Sequence, residues 1–186
     1  VVSKSEKRAA FIDLKPLFAY FNSKYFGTRA DFDSTKDLNT WPNMPDAAKP
    51  TVVKTLDLGA RPTAVKATLW GSNLRGWIAT EEGNMRLFDL GGYGNGSGTG
   101  TLNQVGSVAV GPNPTSIAYF RGSTSDMDND INNYAMVLAR GDKTVRWVDF
   151  SSDHNSAVVR PTMLRDTGLT DPVMIEDNEN HGTEAW

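Results

Sequence analysis

The stretch "VGPNPTSIAYFRG" at residues 110–122 decides the fold, because "LGARPTAVKATLW" at residues 58–70 makes nearly the same shape earlier in the chain. Setting Gly59 on Gly111, an offset of 52 residues, brings Val53 onto Val105, Leu56 onto Val108, Leu58 onto Val110, Pro62 onto Pro114, Thr63 onto Thr115 and Val65 onto Ile117. A second pattern follows each copy, "GWIATEEGNMRLFDL" at 76–90 and "AMVLARGDKTVRWVDF" at 135–150. There an offset of 60 superposes Ile78 on Leu138, Ala79 on Ala139, Arg86 on Arg146 and Asp89 on Asp149. The two offsets differ by eight residues, which places an insertion around "STSDMDNDINN" at 123–133. The second pattern also occurs as "VVSKSEKRAAFIDL" at 1–14, with Asp13 matching Asp89. The first returns as Pro172, Val173 and Ile175 after Gly168.

Each full unit resolves into four short apolar runs bounded by turn residues. For the second copy these are residues 105–110, 115–120, 134–139 and 144–150. Val, Ile, Tyr, Phe and Trp dominate them, none holds a 3.6-residue period, and all four read as strands. Gly-x-x-Pro sets a tight turn, since glycine tolerates positive φ and proline holds φ near about −65°, while Arg140–Lys143 suits a hairpin. Four strands in every 50 to 60 residues, repeated, is the mark of β-propeller blades.

The paired segments resemble the repeats of the YVTN family of β-propellers, relatives of surface-layer and lactonase-like propellers. In that pattern an apolar strand enters a Gly/Asn hairpin, an apolar strand ends in Asp, and a "vGxxPxxia" segment opens the next blade. The resemblance covers most of the chain and departs from it at the insertion near Asp126 and in residues 22–50. It implies an all-β propeller segment of about three four-stranded blades, the first and last incomplete. The end of a blade falls at 1–21, an irregular insertion at 22–50, a blade at 51–90, a Gly-rich linker at 91–101, a blade at 102–150 and the start of another at 151–186. Three blades do not close a ring of 4 to 8, so the remaining blades are expected from the same parent chain or from another chain. The family suggests an extracytoplasmic setting and a binding or scaffold role. A lactonase-like or quinoprotein-like enzyme with its site at the central channel is the alternative.

Composition narrows the functions. The net charge of −3 and pI near 5.4 supply no positive field to neutralise nucleic-acid phosphates, so a protein partner is expected rather than a nucleic acid. The absence of cysteine removes disulfides, thiolate metal sites and cysteine nucleophiles. No apolar run approaches the roughly 18 to 20 residues of a membrane helix.

Few residue groups invite chemistry. Asp126, Asp128 and Asp130 alternate along one loop, which suits a hard cation such as calcium, yet Ile131 stands where an EF-hand requires glycine. The run "GGYGNGSGTG" at 91–100 lacks the G-x-G-x-x-G spacing of a nucleotide site and reads as a flexible inter-blade linker. Phe18, Tyr20, Phe21, Tyr25 and Phe26 interleave with Lys15, Lys24 and Arg29, a mixture able to grip a partner; a last strand or elaborated loop packed on a neighbouring blade is the structural reading. Asp13, Asp89 and Asp149 recur at one blade position, which favours a carboxylate accepting turn N–H groups over catalysis. His154 and His181 lack metal-ligand partners at recognisable spacing, the trio Glu179, His181 and Glu184 reads as a polar loop, and no nucleophile elbow or Walker loop occurs. No catalytic residue and no cofactor are therefore expected, apart from the calcium candidate.

Overall fold

The computed structural model describes residues 1–34, 44–67, 74–91, 100–120, 134–160 and 170–176. The chain divides into two compact units, Ala9–Leu56 with Val1, and Val2–Arg8 with Asp57–Trp186. It is mostly β, with eleven strands among the described residues, all in antiparallel sheets. Strands β1 (Val2–Ser3), β2 (Arg8–Asp13) and β3 (Thr51–Asp57) form a first, three-stranded sheet in the order β1-β2-β3. Strands β4 (Pro62–Ala67), β5 (Leu74–Thr80), β6 (Asn84–Gly91) and β7 (Gln104–Ala109) form the second as a simple meander. Strands β8 (Pro114–Phe120), β9 (Tyr134–Ala139), β10 (Thr144–Phe150) and β11 (Ala157–Val159) form the third in the same manner.

These sheets are cut one strand later than the sequence units. Residues 105–110 complete the second sheet by pairing with β6 instead of opening the third, and residues 51–57 complete the first. Gly-x-x-Pro is therefore a crossing between sheets, not a hairpin. The glycine-rich run, expected as a linker between two repeats, falls in the chain between β6 and β7, which pair in one sheet; residues 92–99 of it fall outside the described set.

The repeat offset also resolves further. Cross-strand partners put Ile78 opposite Arg86 and Val137 opposite Arg146, so equivalent residues lie 59 apart in β5 and β9 and 60 apart in β6 and β10. Ile78 thus matches Val137 rather than Leu138, and Ala79 matches Leu138 rather than Ala139. Seven of the eight extra residues fall between β8 and β9, and one lengthens the β9–β10 turn. A one-residue slip matters because it exchanges the two faces of a strand.

The facing is what builds the core. Trp77, Ala79, Met85 and Leu87 share one face of the second sheet and pack on Ile117, Tyr119, Ala135, Val137, Val148 and Phe150 of the third. In the corrected register Trp77 corresponds to Met136, whereas Val137 corresponds to Ile78. The two sheets therefore meet through opposite faces of the same repeat. Trp77 anchors the contact, stacked on Phe150 at 4.6 Å and 5° and edge-on to Tyr119 at 4.9 Å. Its burial is worth about 4 kcal/mol at roughly 25 cal/mol per Å².

The crossing at residues 110–113 joins the sheets through their backbones. Val110 N–H donates to Gly83 O (2.7 Å) and Asn113 N–H to Glu81 O (3.3 Å) in the β5–β6 turn. Arg140 N–H and Gly141 N–H donate to Asn113 O and Pro112 O from the β9–β10 turn. Gly83 and Gly111 both have positive φ, and a Cβ on Gly83 would lie 2.7 Å from Gly111 O. Each first strand then begins with a bulge, between Pro62 and Ala64 and between Pro114 and Ser116. The extra residues are the matched pair Thr63 and Thr115, whose buried hydroxyls find no partner among the described residues.

In the unit Ala9–Leu56, helix α1 (Lys15–Tyr25) replaces the strand or loop expected at residues 14–29, followed by α2 (Arg29–Ser34) and a 3₁₀ turn at Asp46–Ala48. Asp13 accepts the Lys15 N–H, Pro16 stands in the first turn, and Leu14, Phe18, Phe21 and Tyr25 recur at spacings of three and four, the period of a helix.

Gly83→Ala is expected to cost at least about 2 kcal/mol in urea unfolding, combining the backbone collision with an unfavourable φ. Gly59→Ala, at φ +67° with open space around it, should cost only about 1 kcal/mol. Equal losses at the two sites would show that close approach at the crossing is unimportant.

Candidate functional site

The most heavily coordinated polar cluster among the described residues lies where the second and third sheets meet. Arg75 sits on β5 opposite Asp89 of β6, just past a register shift at the strand's start. Its side chain is 6% exposed. Nη1 donates to Leu74 O at 2.9 Å and to Asp89 Oδ1 at 3.0 Å. Nη2 crosses to the third sheet and donates to the Asp153 carbonyl at 3.0 Å and Asn155 Oδ1 at 2.7 Å. Burying a guanidinium is costly unless most of its donors are satisfied, and four acceptors from two sheets meet that need.

The receiving loop, residues 151–156, is held by its own side chains. Ser151 Oγ and Asn155 N–H both donate to Asp153 Oδ1, at 2.6 and 3.0 Å, and Asn155 Nδ2 donates to Oδ2 at 3.0 Å. The Ser151 hydroxyl and Asn155 N–H hold the Asp153 carboxyl below its ordinary value. His154, 1% exposed and at φ 54°, presents its ring edge-on to Phe150. The loop lies so near β7 that a Cβ on Gly106 would overlap Asn155 O.

Asp89 is the second half of the cluster. Burial alone would raise its carboxyl, but Thr101 N–H and Oγ1 (2.8 and 3.0 Å), Gly91 N–H (3.1 Å) and Arg75 together hold it below the usual carboxylate range. The recurring aspartates thus serve strand ends: Asp13 takes the Lys15 N–H and Asp89 takes those of Gly91 and Thr101. Asp149 departs from this, accepting from Trp147 Nε1 at 2.7 Å and from Arg160 Nε. Arg146 pairs with Asp142 in its own hairpin.

The third sheet carries Tyr134 where the second carries Arg75. Tyr134 stacks on Trp147 at 4.2 Å, Arg160 lies over the Trp147 ring, and burial pushes the Tyr134 phenol up. The charged link is therefore used once among the two complete sheets.

The aromatic candidates belong to the other unit. Phe18, Tyr25 and Phe26 are exposed, Phe26 by 84%, while Tyr20 and Phe21 are half-buried. Phe21 stacks on Tyr25 at 6.1 Å and meets Tyr20 edge-on. No residue of α1 is fully buried, so the helix presents these rings instead of sealing a core with them. Asp126, Asp128 and Asp130 lie outside the described residues, as do Glu179, His181 and Glu184. Among the described residues no helix is long and apolar enough to cross a membrane.

Arg75 was not legible as a site, because only one copy of the repeat carries it. Its signal is an arginine flanked by apolar residues in a strand whose partner position is Asp89. No protein-family model matches the chain, and no curated protein matches it.

Arg75→Ala is expected to cost about 3 kcal/mol, since it strands Asp89 and the Asn155 amide in a half-dry site. Asp89→Asn should cost about 1 to 2 kcal/mol at pH 7. The folded Asp89 carboxyl titrates lower than the unfolded one, so its contribution is complete above about pH 5 and fades as pH falls through the folded pKa. Melting curves from pH 7 to pH 3 should therefore show Asp89→Asn converging on the wild type; a constant gap would refute the assignment.

Proposed function

We propose that this chain is a run of β-propeller blades serving as a non-catalytic binding or scaffold module of an extracytoplasmic protein. The observation that carries the reading is the facing of the two complete sheets. A two-sheet sandwich buries equivalent inner faces against each other, whereas here the Trp77 face of one repeat meets the Val137 face of the next. Such packing leaves a further face at each step and propagates in one direction, which a ring of blades satisfies.

The tail of the described chain supports the same step. Arg140 grips Asp171 through Nε and Nη2, both at 2.6 Å, and Ser116 Oγ donates to Ile175 O at 2.7 Å. Asp171 thus meets the β9–β10 turn at Arg140 as Asn113 meets the β5–β6 turn at Glu81. A scaffold role follows from how the charges are used: Arg75, Asp89, Asp142 and Asp153 are spent on other protein groups. Partner contact falls to the exposed rings of α1. Calcium at Asp126, Asp128 and Asp130 belongs to the same reading as a loop-ordering ion.

Two measurements test it. Grafting another copy of residues 114–160 directly after Asp171 should raise the melting temperature by about 5 °C in a single transition; a separate second transition would contradict the repeat. The purified protein should hydrolyse no member of a lactone panel, with or without added calcium, and show no quinone or haem absorbance. Lactone turnover abolished by EDTA would turn the assignment to an enzyme.

A further inference from the structure

Loop 151–156 is closed by its own bonds and docked through Arg75. Its ends are joined by Ser151 N–H donating to Ser156 O at 3.0 Å and Ser156 N–H donating to Ser151 Oγ at 3.1 Å. Inside it the Asp153 carboxylate accepts the Ser151 hydroxyl and the Asn155 N–H on Oδ1, and the Asn155 side-chain amide on Oδ2. An ionised carboxylate has acceptors only, so it can take only the NH2 end of that amide. The Asn155 oxygen is left to face Arg75, where it receives Nη2 at 2.7 Å. Turned over, the same amide would set its oxygen against a carboxylate and its NH2 against a guanidinium. Asp153 therefore fixes which end of Asn155 meets the second sheet.

We propose that Asp153 is an acid-released latch: ionised, it holds the Asn155 amide in the orientation that docks loop 151–156 on Arg75, and protonated, it turns that amide over and lifts the loop off the second sheet. A proton on Oδ2 makes that atom a donor facing the Asn155 NH2. The amide then presents its oxygen to the proton and its NH2 to Arg75, where donor meets donor. The loop can leave without the core, because neither the Trp77–Phe150 stack nor the bonds of the 110–113 crossing use a loop atom. Among the described residues, the charged or titratable groups facing the latch are Arg75 of β5, Asp89 of β6 and His154 of the loop itself. Strands β7 and β11 carry none, and Asp149 of β10 is turned to Trp147 and Arg160. The Ser151 hydroxyl and the Asn155 N–H hold the Asp153 carboxyl below its ordinary value. The docked loop is thus fully held above about pH 5 and is released as the pH falls through the folded value, below the ordinary aspartate range.

Amide hydrogen exchange, corrected for the intrinsic rate at each pH, reads the loop directly. The amides of His154, Asn155 and Ser156 are bonded within the loop, so they should be protected at pH 7. On acidification they should lose at least about tenfold of that protection while the amides of β9 and β10 keep theirs. Asp153→Asn, which sets an NH2 where the proton would sit, should open the loop by a similar factor at pH 7. Adding Asn155→Asp to that variant reverses donor and acceptor at the contact and should restore the protection, a rescue that simple loss of a loop side chain would not allow. His154→Asn, tolerant of the left-handed backbone at φ 54°, should leave the pH of release where it is. A loop that opens only together with β9 and β10, an Asp153→Asn loop as protected as the wild type, a double variant no better than Asp153→Asn, or a release pH moved by His154→Asn would each overturn the proposal.

Discussion

The whole arrangement depends on two backbone turns touching. Between Gly83 and Gly111 no side chain intervenes, and a single methyl group on Gly83 would collide with the next carbonyl. That contact lets Val110 and Asn113 donate to the β5–β6 turn while Pro112 and Asn113 accept from the β9–β10 turn. Four residues of crossing chain therefore satisfy backbone groups of both sheets, an arrangement that buried polar backbone demands. The spacing and orientation it imposes bring Trp77 flat onto Phe150. The apolar core follows from the crossing and does not cause it, because apolar faces alone would accept many relative rotations.

Arg75 adds specificity of another kind. Hydrophobic contact between the second and third sheets is tolerant of sliding, whereas a guanidinium shared between Asp89 and the Asp153–Asn155 segment has one geometry. The cost of burying it is met only in that register, so the pin penalises alternatives more than it stabilises the native state. In the third sheet Tyr134 and Trp147 stack in the corresponding place, with Arg160 over the ring. One junction of the repeat is thus charged and the matching face beyond it is aromatic, which distinguishes faces that an identical repeat would leave interchangeable.

Strand content and repeat length were legible because both are written in short apolar runs between glycines and prolines. The partition into sheets was not. A Gly-x-x-Pro step looks the same whether the chain folds back into a hairpin or crosses to a new sheet, and only the pairing of β7 with β6 decides it. The one-residue register error arose from the extra residue in the Ala139–Thr144 turn, since local similarity scores Ala79 on Ala139 as readily as on Leu138. Helix α1 was obscured by its own aromatics, which favour strands in isolation; the spacing of Leu14, Phe18, Phe21 and Tyr25 was the better signal. Comparing copies also has a built-in blindness: it highlights Asp89, which recurs, and hides Arg75, which does not.

The connections between strands differ more than the strands themselves. The connection into the last strand of each sheet differs widely in length: residues 14–50 after β2, 92–103 after β6, and 151–156 after β10. The shortest docks on Arg75 and serves the fold. The longest carries α1, with Phe18, Tyr25 and Phe26 exposed and no residue fully buried. Helix α1 itself contributes no fully buried residue, so its aromatic rings stay largely in contact with water. The same topological position thus holds a structural plug in one sheet and a ring-bearing helix in another, as expected where strands are fixed by pairing and connections are not.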